Sequence, residues 1–136
     1  MSKQFSDLGI QESITKALDD LKIVVPTEIQ QKTIPLLLST KTDLVGLAKT
    51  GTGKTAAFGL PLLQLIDAKN TAVQAVILAP TRELGHQIFT NLEAFTKYLP
   101  AVSIAETCGG IPIKPQIERL TSPTHIVVAT PGRLID

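Results

Sequence analysis

One glycine-rich stretch, AKTGTGKT from Ala48 to Thr55, has the residue types and spacing of a phosphate-binding loop. Its glycines let the backbone wrap closely around a phosphate, and the N–H groups of the loop and of the following helix donate to the phosphate oxygens. Lys54 is placed to reach the outer phosphates, and Thr55 to ligate Mg²⁺. Ala48 stands where the usual pattern has its first glycine, so the motif is not strictly met. The predicted nucleotide-binding residues of the loop are Ala48, Lys49, Thr50, Gly51, Thr52, Gly53, Lys54 and Thr55.

The stretch PTEIQ, from Pro26 to Gln30, allows two interpretations. Thr27 and Gln30 stand three residues apart before an apolar run, which is the spacing of a capping box at a helix N-terminus. A glutamine fixed at the start of a helix also presents a donor and an acceptor side by side, and this amide can read the edge of a base. The two roles are compatible, because Thr27 can cap the helix while Gln30 turns its amide outward.

The elements that must position these residues repeat one unit: a short apolar run, a polar or glycine-rich turn and a helical pattern. The predicted strands are Leu44 to Ala48, which is weak, and then Ala75 to Ala79, Val102 to Thr107 and His125 to Ala129. Apolar strands that alternate with helices indicate an α/β fold with a parallel sheet covered by helices on both faces. The strand-to-helix loops of such a sheet open on one rim, where ligands bind. That rim carries AKTGTGKT, PTRELG, CGG and TPGR.

Apolar residues at helical spacing predict the helices between the strands. The first helix ends near Asp19, and the second follows Thr27 and is kinked or shortened by Pro35. The helix after the glycine-rich loop runs to about Ile66. The predicted inner faces of the first two helices are Ile10, Ile14, Ala17, Leu18 and Leu21, and Ile29, Ile34, Leu37 and Leu38. Those of the two later helices are Leu84, Ile88, Leu92, Phe95 and Leu99, and Ile113, Ile117 and Leu120.

Composition limits the class of protein. A chain of 136 residues, 43% hydrophobic, is long enough for one globular core. The net charge of +1 means that a polyanion must be held by local geometry rather than by a strongly positive field. Cys108 is the only cysteine, which excludes an intrachain disulfide framework and fits a reducing compartment. His86 and His125 have no ligand-type partners nearby in sequence, so we expect structural or exposed roles. Without an apolar signal core or membrane-length run, we expect a cytoplasmic protein.

The five motifs PTEIQ, AKTGTGKT, PTRELG, Gly-Gly and TPGR, in this order, resemble the first RecA-like domain of the DEAD-box ATP-dependent RNA helicases. The resemblance starts at Phe5 and covers nearly the whole chain. It implies a partial N-terminal RecA-like ATP-binding domain over residues 1–136, with a Q-motif region at residues 3–31. It also implies ATP and Mg²⁺ as cofactors, RNA as partner and an enzyme, an RNA-stimulated ATPase and helicase, as the parent protein.

The resemblance assigns roles to individual residues. In the family, the glutamine matching Gln30 hydrogen-bonds the adenine edge, Thr27 belongs to the same motif, and an upstream aromatic, here Phe5, packs on the base. The later motifs grip the sugar-phosphate backbone, which implies sequence-independent binding of single strands. Taken singly, the threonines of these loops are equally explained as helix caps. The predicted RNA-binding residues are Pro80, Thr81, Arg82, Glu83, Gly109, Gly110, Thr130, Pro131, Gly132 and Arg133.

The sequence departs from the family pattern at Lys22 and Ile23, where the family usually has a glycine and an aromatic residue. A glycine just past a helix suits the left-handed cap conformation, so a lysine that keeps this geometry costs up to roughly 1 kcal/mol. We therefore expect the turn before Pro26 to be altered, which puts a contact of Lys22 or Ile23 with the nucleotide in doubt.

The chain lacks the acid that phosphoryl transfer needs to hold Mg²⁺. The family supplies it from the motif Asp-Glu-Ala-Asp, which does not occur in this sequence. The coupling motif Ser-Ala-Thr, the second RecA-like domain and its arginine finger are also absent. We therefore expect a truncated part of a helicase that has no catalytic residues and is inactive by itself. The alternative is a non-catalytic nucleotide- or RNA-binding module.

Overall fold

The structure, a computed structural model, describes residues 3–49, 53–107, 113–120 and 122–135. Its helices are a 3₁₀ helix at Phe5–Leu8, then α1 (Glu12–Asp20), α2 (Glu28–Ser39), α3 (Lys54–Leu65), α4 (Arg82–Phe95), α5 (Ile113–Leu120) and α6 (Pro131–Ile135). Its strands are β1 (Ala75–Leu78), β2 (Ile104–Thr107) and β3 (Ile126–Ala129). The chain divides into two units, Met1–Leu65 with Ala94–Leu99 and Ile66–Glu93 with Pro100–Asp136.

Helix α1 of the first unit ends in a left-handed turn. Lys22 N–H donates to Asp19 O at 3.0 Å, and Ile23 N–H donates to Leu18 O at 2.9 Å. These two bonds form a Schellman motif, whose C′ residue is usually glycine. Here that residue is Lys22, with φ of 60°. The turn thus keeps the geometry that favours glycine, and the expectation that Lys22 alters it is wrong.

Helices α2 and α3 pack against each other in the first unit. Ile34 of α2 and Leu60 and Leu63 of α3 are almost completely buried. Pro35 lies inside α2, yet the helix continues to Ser39, so the expected shortening does not occur. Burial of the helix face outweighs the lost backbone hydrogen bond, because tertiary packing provides most helical stability in proteins. The other residues of the predicted inner face are half-buried: Ile29, Leu37 and Leu38.

The second unit contains a parallel sheet with strand order β1-β3-β2. Ala75 of β1 and Ile104 of β2 both pair with Ile126 of β3. All four residues of β3 are buried, so both faces of this central strand are covered, as a parallel sheet requires. The predicted coverage is incomplete at the edge strand β1, where Val76 and Leu78 are about half exposed.

The prediction of a first strand from Leu44 to Ala48 is wrong. The segment has no regular secondary structure, and Val45 and Leu47 are 85% and 89% exposed. Among the described residues, no strand pairs with it. An apolar run becomes a strand only where a neighbouring strand satisfies its N–H and C=O groups.

The faces of the two later helices were predicted with mixed success. Ile88, Leu92 and Phe95 of α4 are buried as expected, whereas Leu84 is 39% exposed. In α5 the prediction is wrong, because Ile117 and Leu120 are exposed and the buried residue is Gln116. Helix α5 packs against β2, and this contact rather than the apolar spacing determines which side is covered. The side chain of Ile113 lies outside the described residues, and Leu99 follows α4 and is half-buried.

Candidate functional site

Gln30 occupies the third position of α2 and completes the predicted capping box. The N-cap, Thr27, has the extended conformation that a cap requires, with φ of −74° and ψ of 170°. Its N–H donates to Gln30 Oε1 at 2.9 Å. Gln30 is only 3% exposed, so the cap also fixes where the rest of its amide lies. The capping interpretation of PTEIQ is confirmed.

The same amide contacts the glycine-rich loop. Gln30 Nε2 donates to Gly53 O at 3.1 Å. Gly53 has φ of +86°, and a Cβ at this position would lie 2.3 Å from Gln30 Nε2 and 3.1 Å from Thr27 Oγ1. Only glycine suits both this backbone conformation and this contact. The structure thus joins the two motifs, although 23 residues separate Gln30 from Gly53.

Helix α3 begins at Lys54, directly after the loop. Its N-terminus presents N–H groups and the positive end of the helix dipole, the features that bind phosphate. Lys54 is exposed and Thr55 is half-buried. Ala48 is half-buried and Lys49 is exposed. The predictions for Thr50, Gly51 and Thr52 fall outside the described residues.

A glutamine on α3 fixes the segment that carries Phe5. Gln64 Nε2 donates to Gly9 O at 2.7 Å, and Gln11 N–H donates to Gln64 Oε1 at 2.8 Å. Phe5 is 3% exposed, which favours an anchoring role for its ring. Sequence reasoning missed Gln64, because a lone glutamine on a helix has no local pattern and its partners lie more than fifty residues away.

In the second unit, the loops after β1 and β3 leave the same end of the sheet. Ala79 N–H, just past β1, donates to Ala129 O at 2.9 Å, and Thr130 N–H donates to Thr107 O at 3.1 Å. The loops that begin at Pro80 and at Thr130 therefore lie side by side, as the rim prediction requires. Cys108, Gly109 and Gly110 follow β2 but lie outside the described residues.

The loop after β1 leads into α4. Thr81 Oγ1 accepts a hydrogen bond from Leu84 N–H at 3.2 Å and so caps α4. Arg82 is exposed and donates to Glu83 Oε1 at 3.3 Å. A hydrogen bond from its own backbone, and then the Arg82 guanidinium, hold the pKa of the Glu83 carboxyl below its usual range. Glu83 thus carries a negative charge beside Arg82.

The loop after β3 leads into the short helix α6. Leu134 N–H donates to Thr130 O at 3.0 Å, so Thr130 is the residue that precedes the helix. Pro131 and Gly132 are exposed, and Arg133 is half-buried. A Cβ at Gly132 would meet nothing within 4 Å, so its own surroundings do not require glycine there.

One feature of this rim was not predicted. His86 Nδ1 lies 2.8 Å from Glu106 Oε2, and the two side chains border a depression of about 430 Å³ lined by Arg82, Glu83, His86 and Glu106. His86 and Glu106 are twenty residues apart, so no local spacing could indicate the contact. Within the described residues, no group of three or more His, Cys, Asp or Glu could hold a metal ion. None of the described helices is long and apolar enough to cross a membrane.

Comparison with known proteins identifies relatives of the chain. The family model DEAD/DEAH box helicase matches residues 27–136. The chain is 47% identical over 136 residues to an ATP-dependent rRNA helicase rrp3 of Sclerotinia sclerotiorum, covering 100% of this chain and 28% of that protein. It is 44% identical over 132 residues to the DEAD-box ATP-dependent RNA helicase CshA of Geobacillus kaustophilus, covering 97% of this chain and 28% of that protein.

Solved structures agree with these relatives. A DEAD box protein from Methanococcus jannaschii matches with a TM-score of 0.88 and 38% identity, over 100% of this chain and 37% of the other. Dbp5 of S. cerevisiae, bound to RNA and ADP BeF3, matches with a TM-score of 0.87 and 28% identity, over 99% of this chain and 34% of the other. The fold is therefore the RecA-like α/β fold of these proteins, and the chain spans about a third or less of each relative. The chain belongs to the DEAD/DEAH box helicase family.

Proposed function

We propose that the chain is the nucleotide- and RNA-binding part of an ATP-dependent RNA helicase. In this proposal ATP is bound by the Q-motif region and by the loop at 48–55, and RNA by the rim of the second unit. The relatives rrp3 and CshA are helicases that extend well beyond the matched region. Unwinding is therefore assigned to a protein in which a second RecA-like domain closes on this one. We place that protein in the cytoplasm, which suits a single cysteine in the chain.

The observation that carries the proposal is the position of the Gln30 amide, which bonds Thr27 N–H and Gly53 O at once. A primary amide has two N–H hydrogens and two carbonyl lone pairs, so each end retains the capacity for one more bond. Adenine offers an N–H donor and a ring-nitrogen acceptor on one edge, matching that remaining pair. Guanine offers two acceptors on the corresponding edge. The N–H of the Gln30 amide can still donate to one of them, but the carbonyl oxygen of Gln30 finds no donor.

In this proposal Phe5 contributes to the nucleotide site mainly by anchoring the segment that carries it. Its ring anchors the 3₁₀ helix, and Gln64 ties the following residues to α3. The anchored segment borders the adenine site in the proposal, and direct packing of the ring on the base is the family's arrangement.

The residues of this chain fit Mg²⁺ only when the ion is bound together with the nucleotide. The Thr55 hydroxyl, on the first turn of α3, is an oxygen ligand of the kind that Mg²⁺ accepts, and Mg²⁺ is usually bound by few protein groups together with substrate phosphates and waters. Thr55 would hold the ion, and Lys54 the outer phosphates. The bound ion would neutralise the developing charge on the phosphates.

RNA binding is assigned to the rim because its groups suit phosphate and sugar rather than base edges. Arg82 is an exposed guanidinium beside the capped start of α4, and Arg133 lies on α6. Arginine pairs phosphates in a bidentate manner, and such contacts do not distinguish bases. The remaining rim residues in the proposal are Pro80, Thr81, Glu83, Gly109, Gly110, Thr130, Pro131 and Gly132.

Replacing the amide of Gln30 by a carboxylate tests the proposed adenine recognition. A glutamate at the third helix position still accepts the Thr27 N–H, so Gln30→Glu keeps the capping box but loses the amide donor. We expect calorimetric titration to show that the wild-type chain prefers Mg²⁺-ADP to Mg²⁺-GDP by about tenfold or more, and that Gln30→Glu removes this preference.

The neighbouring Gln31→Glu is the matched control, because it makes the same chemical change one residue later. Gln31 Nε2 donates to Pro26 O at 3.0 Å, so this variant also loses one main-chain contact. The ADP to GDP ratio should stay at the wild-type value. An unchanged ratio in Gln30→Glu, or equal affinities in the wild type, would contradict the assignment of Gln30. Binding of neither nucleotide would contradict the proposed function itself.

A further inference from the structure

The His86–Glu106 pair lies on the rim beside Arg82 and Glu83, two residues of the proposed RNA-binding loop after β1. His86 Nδ1 is 2.8 Å from Glu106 Oε2, and the two side chains are 66% and 15% exposed. The imidazole also stacks on Phe89, with 6.4 Å between ring centroids and 29° between planes. The carboxylate is thus largely covered and binds the inner nitrogen of the ring. The His86 side chain is mostly accessible, and its Nε2 lies on the ring edge opposite to this contact.

The charges that line this depression make its affinity for anions depend on one proton. Arg82 carries a permanent positive charge, and Glu83 pairs with it at 3.3 Å. Glu106 adds a second carboxylate, so the four lining groups sum to −1 when His86 is neutral and to 0 when it is protonated. These groups on α4 and β2 are the charged side chains that border the same depression as His86. A phosphate is therefore repelled less, and gains a donor, only when the imidazole is protonated.

We propose that His86 is a phosphate-binding residue of the rim, acting as an imidazolium. Its Nδ1–H donates to Glu106, which holds the ring, and its Nε2–H donates to a phosphate oxygen of single-stranded RNA. The inference rests on the proposed function and adds a residue to its RNA site. Binding then takes up a proton from solvent whenever the ring of the unbound chain is neutral.

The other histidine cannot produce this effect. His125 is 3% exposed; its Nδ1 accepts Ser103 N–H at 2.9 Å, and its Nε2 lies 3.2 Å from Ala68 O. Both ring nitrogens therefore have main-chain partners in the neutral Nε2–H tautomer. Histidine is the side chain that most often changes its charge near neutral pH, and the sequence has two of them. Dependence of RNA binding on pH in this range is thus assigned to His86.

The test measures binding of a fluorescent oligouridine by anisotropy at pH 5.8 and 8.2, at several salt concentrations. The proteins are the wild-type chain, His86→Gln, and the double variant His86→Gln/Gln87→His. The double variant has the wild-type composition but moves the imidazole one residue along α4, away from Glu106. Gln87 is exposed, so the move does not disturb the core. Thermal melts at both pH values verify that the three proteins fold alike.

We expect the wild-type affinity to fall about threefold to tenfold between pH 5.8 and 8.2. The slope of log K against log salt should decrease by about 0.7, the value for one phosphate of a single strand. Both variants should bind with equal affinity at the two pH values and match the wild type at pH 8.2.

A pH effect that persists in His86→Gln, or one of equal size in the double variant, overturns the assignment to His86. Tight binding by the wild type without pH dependence also overturns it, while the proposed RNA function stands. No binding at either pH contradicts both proposals.

Discussion

At the scale of single residues, Lys22 has a conformation that its side chain disfavours. Its φ of 60° is left-handed, and this region costs a residue with a Cβ about 1–2 kcal/mol. Lys22→Gly removes that cost, partly offset by the greater freedom of glycine in the unfolded chain. We expect a net gain of about 0.5–1 kcal/mol in the free energy of unfolding, measured by urea denaturation.

Lys22→Ala is the matched control for this prediction. Alanine also removes the lysine side chain but keeps the Cβ, so it should leave the free energy of unfolding close to the wild-type value. If alanine stabilised the chain as much as glycine, the gain would come from loss of the lysine charge rather than from backbone strain.

The sequence predicted residues with local partners and missed those with distant ones. Thr27 and Gln30 are three residues apart, and the capping box that their spacing indicates is formed. The contact of Gln30 with Gly53 and that of His86 with Glu106 depend on the tertiary fold, which no spacing within a motif encodes. Lys22 is an intermediate case, because the family's glycine pointed to a left-handed turn, but the lysine led to the wrong expectation that the turn is altered.

At the scale of elements, a cluster of charged and aromatic side chains fixes the end of α1 to the segment after α4. Lys97 Nζ lies 2.8 Å from Asp20 Oδ2, and Tyr98 also donates its hydroxyl to that oxygen. Lys16 Nζ lies 4.9 Å from the centre of the Tyr98 ring. Hydrogen bonds from Lys97 and then from Tyr98 hold the pKa of the Asp20 carboxyl below its usual range.

This lowered pKa predicts a pH-dependent stability. A carboxyl whose pKa is lower in the folded state stabilises the fold above the pKa of the unfolded chain, about 3.9, and loses this effect as pH falls through the folded value. Asp20→Asn should therefore lower the melting temperature at pH 7, and the difference from wild type should shrink below about pH 4. High salt should reduce the difference at pH 7, because the pair is partly exposed.

Asp19→Asn tests whether the effect belongs to the cluster. Asp19 is the exposed neighbour of Asp20 on the same turn, and removing its charge near the C-terminus of α1 should leave the melting temperature unchanged or slightly raised. An equal loss of stability in both variants would assign the effect to helix charge instead of to the contacts of Asp20.

The elements themselves were predicted where a repeated pattern identifies them. Helical spacing located α1 and α4, and apolar runs located β1, β2 and β3 within one or two residues. Leu44 to Ala48 has the same apolar character as those runs, but its backbone has no partner strand among the described residues. The inner face of α5 failed for a similar reason, since contact with β2 buries Gln116 instead of Ile117.

At the scale of the whole molecule, the central claim is that the chain is a nucleotide-binding unit with a preference for adenine. The order of its motifs indicates the family from sequence alone, because five motifs in one order are far more specific than one loop. The chain covers 28% of the length of two relatives, so our proposal assigns hydrolysis and unwinding to a longer protein. Nucleotide binding is therefore the part of the proposed function that can be tested on this chain by itself.

The most direct test is a thermal melt of the wild-type chain with Mg²⁺ and saturating ADP, compared with GDP and with no nucleotide. A ligand that binds only the folded chain stabilises it by about 2.7 kcal/mol at one hundred times its Kd. For a chain of 136 residues this corresponds to a rise in Tm of roughly 10 °C. We predict this rise with ADP and a much smaller one with GDP. Equal rises would contradict adenine recognition by Gln30, and a cooperative melt that neither nucleotide shifts would contradict nucleotide binding altogether.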